Sequence, residues 1–346
     1  MKQSARLRFW FTRVSFVLFS LLFFSCEKEV PKSVVAKDSS YPAHFPEIEY
    51  PDDNQFTDAR YKLGKKLFYD PILSEGNEIS CSSCHKPELA FAHDQKVSPG
   101  IEGRLGDRNS PSLANIAFHP RFMREGGVPT LEMQALVPIA DHFEMGSNIV
   151  VAAERMVQLE EYRTLSQQAY ERTPDPYVIM RALACFQRTL ISGNSPYDDF
   201  AYKGNRFALD AREIRGMNIF LSDKTQCSTC HSGVLFSSFD YANTGLYESY
   251  DDDGRYRLTL EEGDRSKFKI PSLRNVGLSA PYMHDGSMNA LSEVIDHYAS
   301  GGANHPNKSD LIKGFEISEI EKVDLIAFLH TLTDDHFITD ERHREE

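Results

Sequence analysis

Tryptophan is nearly absent from this chain: the only one, Trp10, lies within the first 25 residues. Beyond that point no indole is available to carry an electron or anchor an interface. Long apolar runs are missing too. The longest, Val14 to Phe24, is too short to cross a bilayer comfortably. Positive charge is scarce, with 38 Lys and Arg against 51 Asp and Glu, a formal net charge of −13. Four of those cations (Lys2, Arg6, Arg8, Arg13) sit in the first 25 residues, which hold no acid, so the remainder carries −17. That acidity argues against nucleic acid as a partner and steers basic proteins toward the chain. At 346 residues there is room for two domains.

The first segment has a basic start, an apolar centre and the ending "FFSC", the pattern of an export signal. It resembles a bacterial lipoprotein signal over 1–25, with Cys26 as the acylated first residue of the mature chain. Acyl chains there would hold the protein on the periplasmic side of the cell envelope; the alternative is an ordinary cleaved signal and a soluble periplasmic protein. Residues 26–52 lack apolar periodicity and read as a tether.

Of six cysteines, Cys185 stands alone on an expected helix and reads as a small buried hydrophobe. Four others form "CSSCH" (Cys81, Cys84, His85) and "CSTCH" (Cys227, Cys230, His231). Two thiols one helical turn apart reach the two vinyl groups of a haem as thioethers, and the adjacent imidazole meets the iron. Zinc or disulfides are the competing readings. Zinc would normally gather both pairs in one compact site, whereas these lie 146 residues apart, each with its own histidine. Two covalently bound haem c groups are expected.

The motifs belong to an internal repeat. "PSLAN" at 111–115 matches "PSLRN" at 271–275, and "FMREGG" at 122–127 matches "YMHDGS" at 282–287, both at an offset of 160. "GKKLF" (64–68) and "GMNIF" (216–220) precede the two haem motifs. Amphipathic segments at 148–172, 176–192, 208–221 and 317–332 predict an all-α fold. It would comprise two cytochrome c-type domains, 53–205 and 206–340, each around one haem. Ser318 and Glu321 form a capping box for the last helix, with Ile320, Val323 and Ala327 expected inside. Leu291, Val294, Ile295 and Tyr298 share one helix face ahead of a Gly301-Gly302 stop. At the repeat offset Tyr298 corresponds to Pro138, which has no ligating atom. The second haem can thus be closed by a side chain where the first cannot. His93, the nearest other histidine, reads as a solvated loop residue.

These motifs, with "LGKKLFYDPILS", "TLEMQALVP", "HFEMG", "RTLISGNSPYD" and "LIAFLHTLT", resemble the bacterial dihaem cytochrome c peroxidase family from about Leu63 to Thr333. The resemblance implies that the first haem meets hydrogen peroxide and the second takes electrons from a small donor protein, a c-type cytochrome or a cupredoxin. It also implies a calcium ion held by positions matching Asn109, Ser279 and Pro281, and catalytic roles for Gln134 and Glu144. A homodimer is compatible with it. A carboxylate raised in pKa by burial suits proton transfer between the two peroxide oxygens, and an amide can orient them.

Three departures stand out. The loop "VSPGIEGRLGDRN" holds no histidine to close the first haem, and Ile101 cannot replace one. Arg124 stands where the family commonly has a tryptophan, and could pair with a haem propionate. Tyr298 falls where most members have a methionine, a feature similar to the MauG-like branch, whose members oxidise a partner protein. Phenolate is a more electron-rich ligand than a thioether and should lower the second haem's potential. The competing functions are therefore a peroxidase, a MauG-like oxidase and a non-enzymatic dihaem electron carrier.

Overall fold

The computed structural model describes residues 41–345, which fall within one compact unit; the signal segment, Cys26 and the first part of the expected tether lie outside them. The chain is mostly helical with little sheet. Its helices are α1 (Asp58–Tyr69), α2 (Cys81–Cys84), α3 (Leu131–Gln134), α4 (Leu136–Ala140), α5 (Ile149–Gln158), α6 (Glu160–Tyr170), α7 (Pro176–Gln187) and α8 (Pro196–Tyr202). They continue with α9 (Ala211–Phe220), α10 (Cys227–Cys230), α11 (Tyr256–Thr259), α12 (Leu291–Ser300), α13 (Glu319–His330) and α14 (Asp335–Thr339). The only named strands among the described residues are β1 (Tyr241–Ala242) and β2 (Phe268–Lys269), an antiparallel pair. No described helix is long and apolar enough to cross a membrane.

Each half is organised by one close helix crossing at a glycine. A Cβ on Gly64 of α1 would overlap the Ala182 carbonyl of α7 and press on Phe186; one on Gly216 of α9 would overlap the Asp324 carbonyl of α13 and press on Phe328. Only hydrogen at these positions lets the backbones meet. Two buried clusters form around the crossings. One holds Leu63, Leu67, Phe68, Phe91 and Phe186; the other holds Phe220, Phe236, Leu325 and Phe328.

The 160-residue offset persists in backbone detail. Asn115 and Asn275 both adopt left-handed φ (62° and 59°), as do Met123 and Met283 (65° and 76°). The Phe122–Val128 bridge recurs as Tyr282–Met288. Ser112 Oγ donates to Ala90 O and Ser272 Oγ to Leu235 O, at 2.5 and 2.6 Å.

Some expectations require correction. The 148–172 segment is two helices, because Leu159 is extended (φ −99°, ψ 122°) between α5 and α6. The Ser318–Glu321 capping box is present, but Ile320 and Val323 are 72% and 51% exposed. Phe328 and Leu325 hold the inner face of α13 instead, since the crossing at Gly216 fixes its rotation and Arg215 pairs with Asp324. From Tyr41 on, the expected tether packs against the body. Phe45 is buried edge-on to Phe118 at 5.6 Å, and His44 contacts Asp198 at 3.0 Å.

The two cores share buried polar groups. Asp334 accepts from Gly193 N and Asn194 N, both at 2.9 Å, and caps α14 through Phe337 N. Asn115 Nδ2 donates to Ser192 O and Asn275 Nδ2 to Ser192 Oγ. Past Asp334 the chain returns to the first core: Phe337 belongs to it, and Tyr61 and Tyr69 donate to the Arg342 and His343 carbonyls.

Candidate functional site

Both Cys-x-x-Cys-His motifs form a single helical turn with the histidine just past it. His85 Nδ1 donates to Phe91 O at 2.8 Å and His231 Nδ1 to Phe236 O at 3.1 Å. A ring nitrogen facing a carbonyl must carry the proton, so each Nε2 keeps its lone pair. The carbonyls of Pro111 and Pro271 also accept from the two rings. Burial lowers the pKa of both rings and so favours the neutral, ligating imidazole. None of the four motif cysteines is in a disulfide. No three His, Cys, Asp or Glu of the described residues converge as a metal-ligand group, which leaves the zinc reading without ligands. The arrangement fits a haem at each motif.

Near the first motif lies Glu144. Its side chain is exposed, with protein packed close enough to desolvate the carboxyl. Burial and then Asp141 raise its pKa to about 7, and its charge is felt at Cys81 and Cys84. No hydrogen bond or ion pair engages its carboxylate among the described residues. Gln134, at the end of α3, is half-buried with its amide 3.9 Å from Met123 Sδ. The loop without a histidine is pinned: Ile101 N donates to Glu144 O at 2.8 Å, and Ile101 is 2% exposed. A side chain on Gly146 would strike Ile101, so the loop is packed rather than free to fold over the motif.

His93 is not solvated. It is 3% exposed, bonded through Nδ1 to Ser98 Oγ at 2.8 Å, with Ser98 in turn 2.7 Å from Ser110. Its polar sequence neighbours concealed this, because its burial depends on how the following loop, with Ser98 and Ser110, folds back on it.

At the second motif, α12 buries Leu291 and Ile295 and brings Tyr298 beside Cys227 and Cys230, whose charges act on its phenol after burial has raised its pKa. The phenol has no hydrogen-bond partner among the described residues. The structure thus brings Tyr298 to the second motif, whereas nothing equivalent comes from Pro138 at the first.

Between the motifs, Arg124 reaches Asn109. Its Nη2 donates to Asn109 O at 2.7 Å and to Asn109 Oδ1 at 3.0 Å, and its Nε to the same backbone oxygen at 3.1 Å. Asn109 N donates to His284 O at 2.9 Å, joining the loop of Ser279 and Pro281 to this junction. Burial, then Arg108, lowers Arg124 to about 10, and burial, then Arg124, lowers Lys269 to about 8. Lys269 and Arg108 were overlooked in the sequence. Arg108 directly precedes Asn109 within the "RNSPSLAN" motif, a position that could have drawn notice.

Residues 58–206 match the family model described as di-haem cytochrome c peroxidase. The methylamine utilization protein MauG of Methylorubrum extorquens is 36% identical over 288 residues, covering 82% of this chain and 81% of that protein. Cytochrome-c peroxidase IdrP1 of Pseudomonas sp. (strain SCT) is 33% identical, covering 91% of each. The crystal structure of a MauG-like protein associated with microbial copper homeostasis superposes with a TM-score of 0.83 at 34% identity, covering 88% of this chain and 98% of that one. These relationships establish that the chain, with its two Cys-x-x-Cys-His motifs, belongs to the di-haem cytochrome c peroxidase and MauG family of oxidoreductases.

Proposed function

We propose that the protein reduces hydrogen peroxide to water at its first haem, with two electrons delivered through the second from a small c-type cytochrome or cupredoxin. The observation that carries this reading is the free carboxylate of Glu144, raised to about 7 beside the first motif. When bound, the haem irons supply the electrons and the first gives peroxide its binding position. Glu144, ionised above its pKa, would take a proton from one peroxide oxygen and return it to the other, which would leave as water. Gln134 orients the peroxide by hydrogen bonding. His85 and His231 would each hold an iron through Nε2, their Nδ1–H groups fixed by the carbonyls of Phe91 and Phe236. Tyr298 would serve with His231 as a ligand of the second iron. The net reaction takes one peroxide, two protons and two electrons to two waters.

The pinned Ile101 loop supports a first haem that is open in every oxidation state. Fully oxidised enzyme mixed with peroxide and reduced donor should turn over without a lag. A long inactive phase relieved only by one-electron reduction would overturn this part. In the cell we place the protein on the periplasmic side, anchored by lipid at Cys26; globomycin-sensitive processing and membrane partitioning test that.

Tyr298 favours a second reading, a MauG-like oxidase whose substrate is a side chain on a partner protein. Mass spectrometry of a copurifying protein before and after peroxide separates the two: an oxidative mass shift on the partner supports the second reading, and donor-dependent turnover with an unmodified partner supports the first.

A further inference from the structure

The junction between the two haem motifs carries a cation of its own. Arg124 uses its fork on the backbone oxygen and the side-chain oxygen of Asn109 together. Asn109 Oδ1 is the atom through which that residue would ligate a metal, and here it already accepts from a guanidinium. The other implied ligand positions, Ser279 and Pro281, offer only uncharged backbone oxygens.

Nearby carboxylates are committed elsewhere. Asp252 receives Arg108 through two bonds at 2.7 and 3.0 Å, Glu125 pairs with the same arginine, and Asp285 accepts from Tyr247 at 2.6 Å and Ser287 N at 3.1 Å. Lys269 adds more positive charge, its backbone N donating to Arg124 O at 2.7 Å. Calcium takes six to eight oxygens and binds more tightly as their negative charge grows. A donor set of neutral oxygens, one already bonded to a fixed cation and with Lys269 beside it, does not fit it.

We propose that the guanidinium of Arg124 is the resident cation of this junction, tying Asn109 to the loop of His284 in place of a calcium ion. Asp285, Asp252 and Glu125 act on the charge of Arg124, but none of them hydrogen-bonds it among the described residues, and its fork is turned to Asn109. A guanidinium suits the task because its planar fork spans two oxygens of one residue, which a lysine ammonium does less well. The inference holds for either reaction considered above, since it concerns what joins the motifs and not what is oxidised.

The test uses the intact holoprotein. Metal analysis of protein purified without chelator should find substoichiometric calcium, and excess EDTA should change neither the haem absorption spectrum nor the thermal midpoint. Arg124→Gln should lower the midpoint and make it respond to millimolar calcium chloride, while Arg124→Lys, which keeps the charge and loses the fork, should fall between. One tightly held calcium per wild-type chain, or an EDTA-induced spectral change reversed by calcium, overturns the proposal. So does an Arg124→Gln protein whose midpoint and spectrum match wild type.

Discussion

At the scale of single residues, the proposed chemistry rests on two side chains, Glu144 and Tyr298, that make no hydrogen bond among the described residues. Burial and then Asp141 raise the Glu144 carboxyl to about 7, and only its ionised form can accept a proton. The rate constant for peroxide reduction should therefore be flat above about pH 7 and fall roughly tenfold per unit below it. Glu144→Gln should cost about 10²–10⁴ in kcat/KM and abolish that acid limb. Stopped-flow mixing with peroxide across pH reads both, and a variant that keeps the wild-type profile would remove Glu144 from the mechanism. Tyr298 is tested by spectroscopy. Tyr298→Phe should convert the second oxidised haem from six-coordinate to high-spin, and Tyr298→Met should raise its reduction potential. An unchanged spectrum in the Phe variant would return Tyr298 to a packing role on α12.

Residue legibility was uneven for a physical reason. Haem attachment is local, five residues on one turn, so the sequence displays it directly. The asymmetry at Tyr298 was visible because the repeat supplies an internal reference. Burial of His93 and engagement of Asn109 by Arg124 depend on loops brought together by the fold, and neither composition nor spacing encodes them. The desolvation that raises Glu144 has the same origin: it depends on protein brought close to an otherwise exposed side chain.

At the scale of elements, the two helix crossings are equivalent, and equivalent substitutions should act alike. Gly64→Ala and Gly216→Ala each push a methyl into a backbone carbonyl of the crossing helix, a partner with no rotamer to escape through. Each should destabilise the fold by about 1–3 kcal/mol or more, read as a fall in the chemical unfolding midpoint. If only one does so, the crossings differ in load despite their shared geometry. The same crossing explains the misread face of α13. Periodicity alone allows either Ile320 and Val323 or Leu325 and Phe328 to face inward, and the glycine contact selects the second pair. The break at Leu159 was not legible at all, since neither proline nor glycine marks it.

At the scale of the molecule, the repeat suggests two separable halves, but the last turns of the chain argue for coupling. Phe337 lies beyond the second haem motif and the whole of α13, yet it is 3% exposed within the first core, 5.7 Å from the Phe91 ring. His343 follows it inward, its Nε2 3.2 Å from Thr189 O. Asp334, which starts α14, holds the Gly193–Asn194 turn that closes the first half. Folding the first core therefore requires the C-terminal segment to be in place, and that segment is positioned by α13 of the second. Phe337→Ala should cost about 3–5 kcal/mol, the range for a buried phenylalanine. The loss should appear as one cooperative transition shifted to lower denaturant at both haems. Two resolved transitions, with the second haem's midpoint unmoved, would mean that the halves fold independently and that the tail is an ornament on the first alone. A chain ending at 205 would lack Phe337 and His343 by construction, so its first core should expose the Phe91 edge and fail to reach native packing even with haem attached.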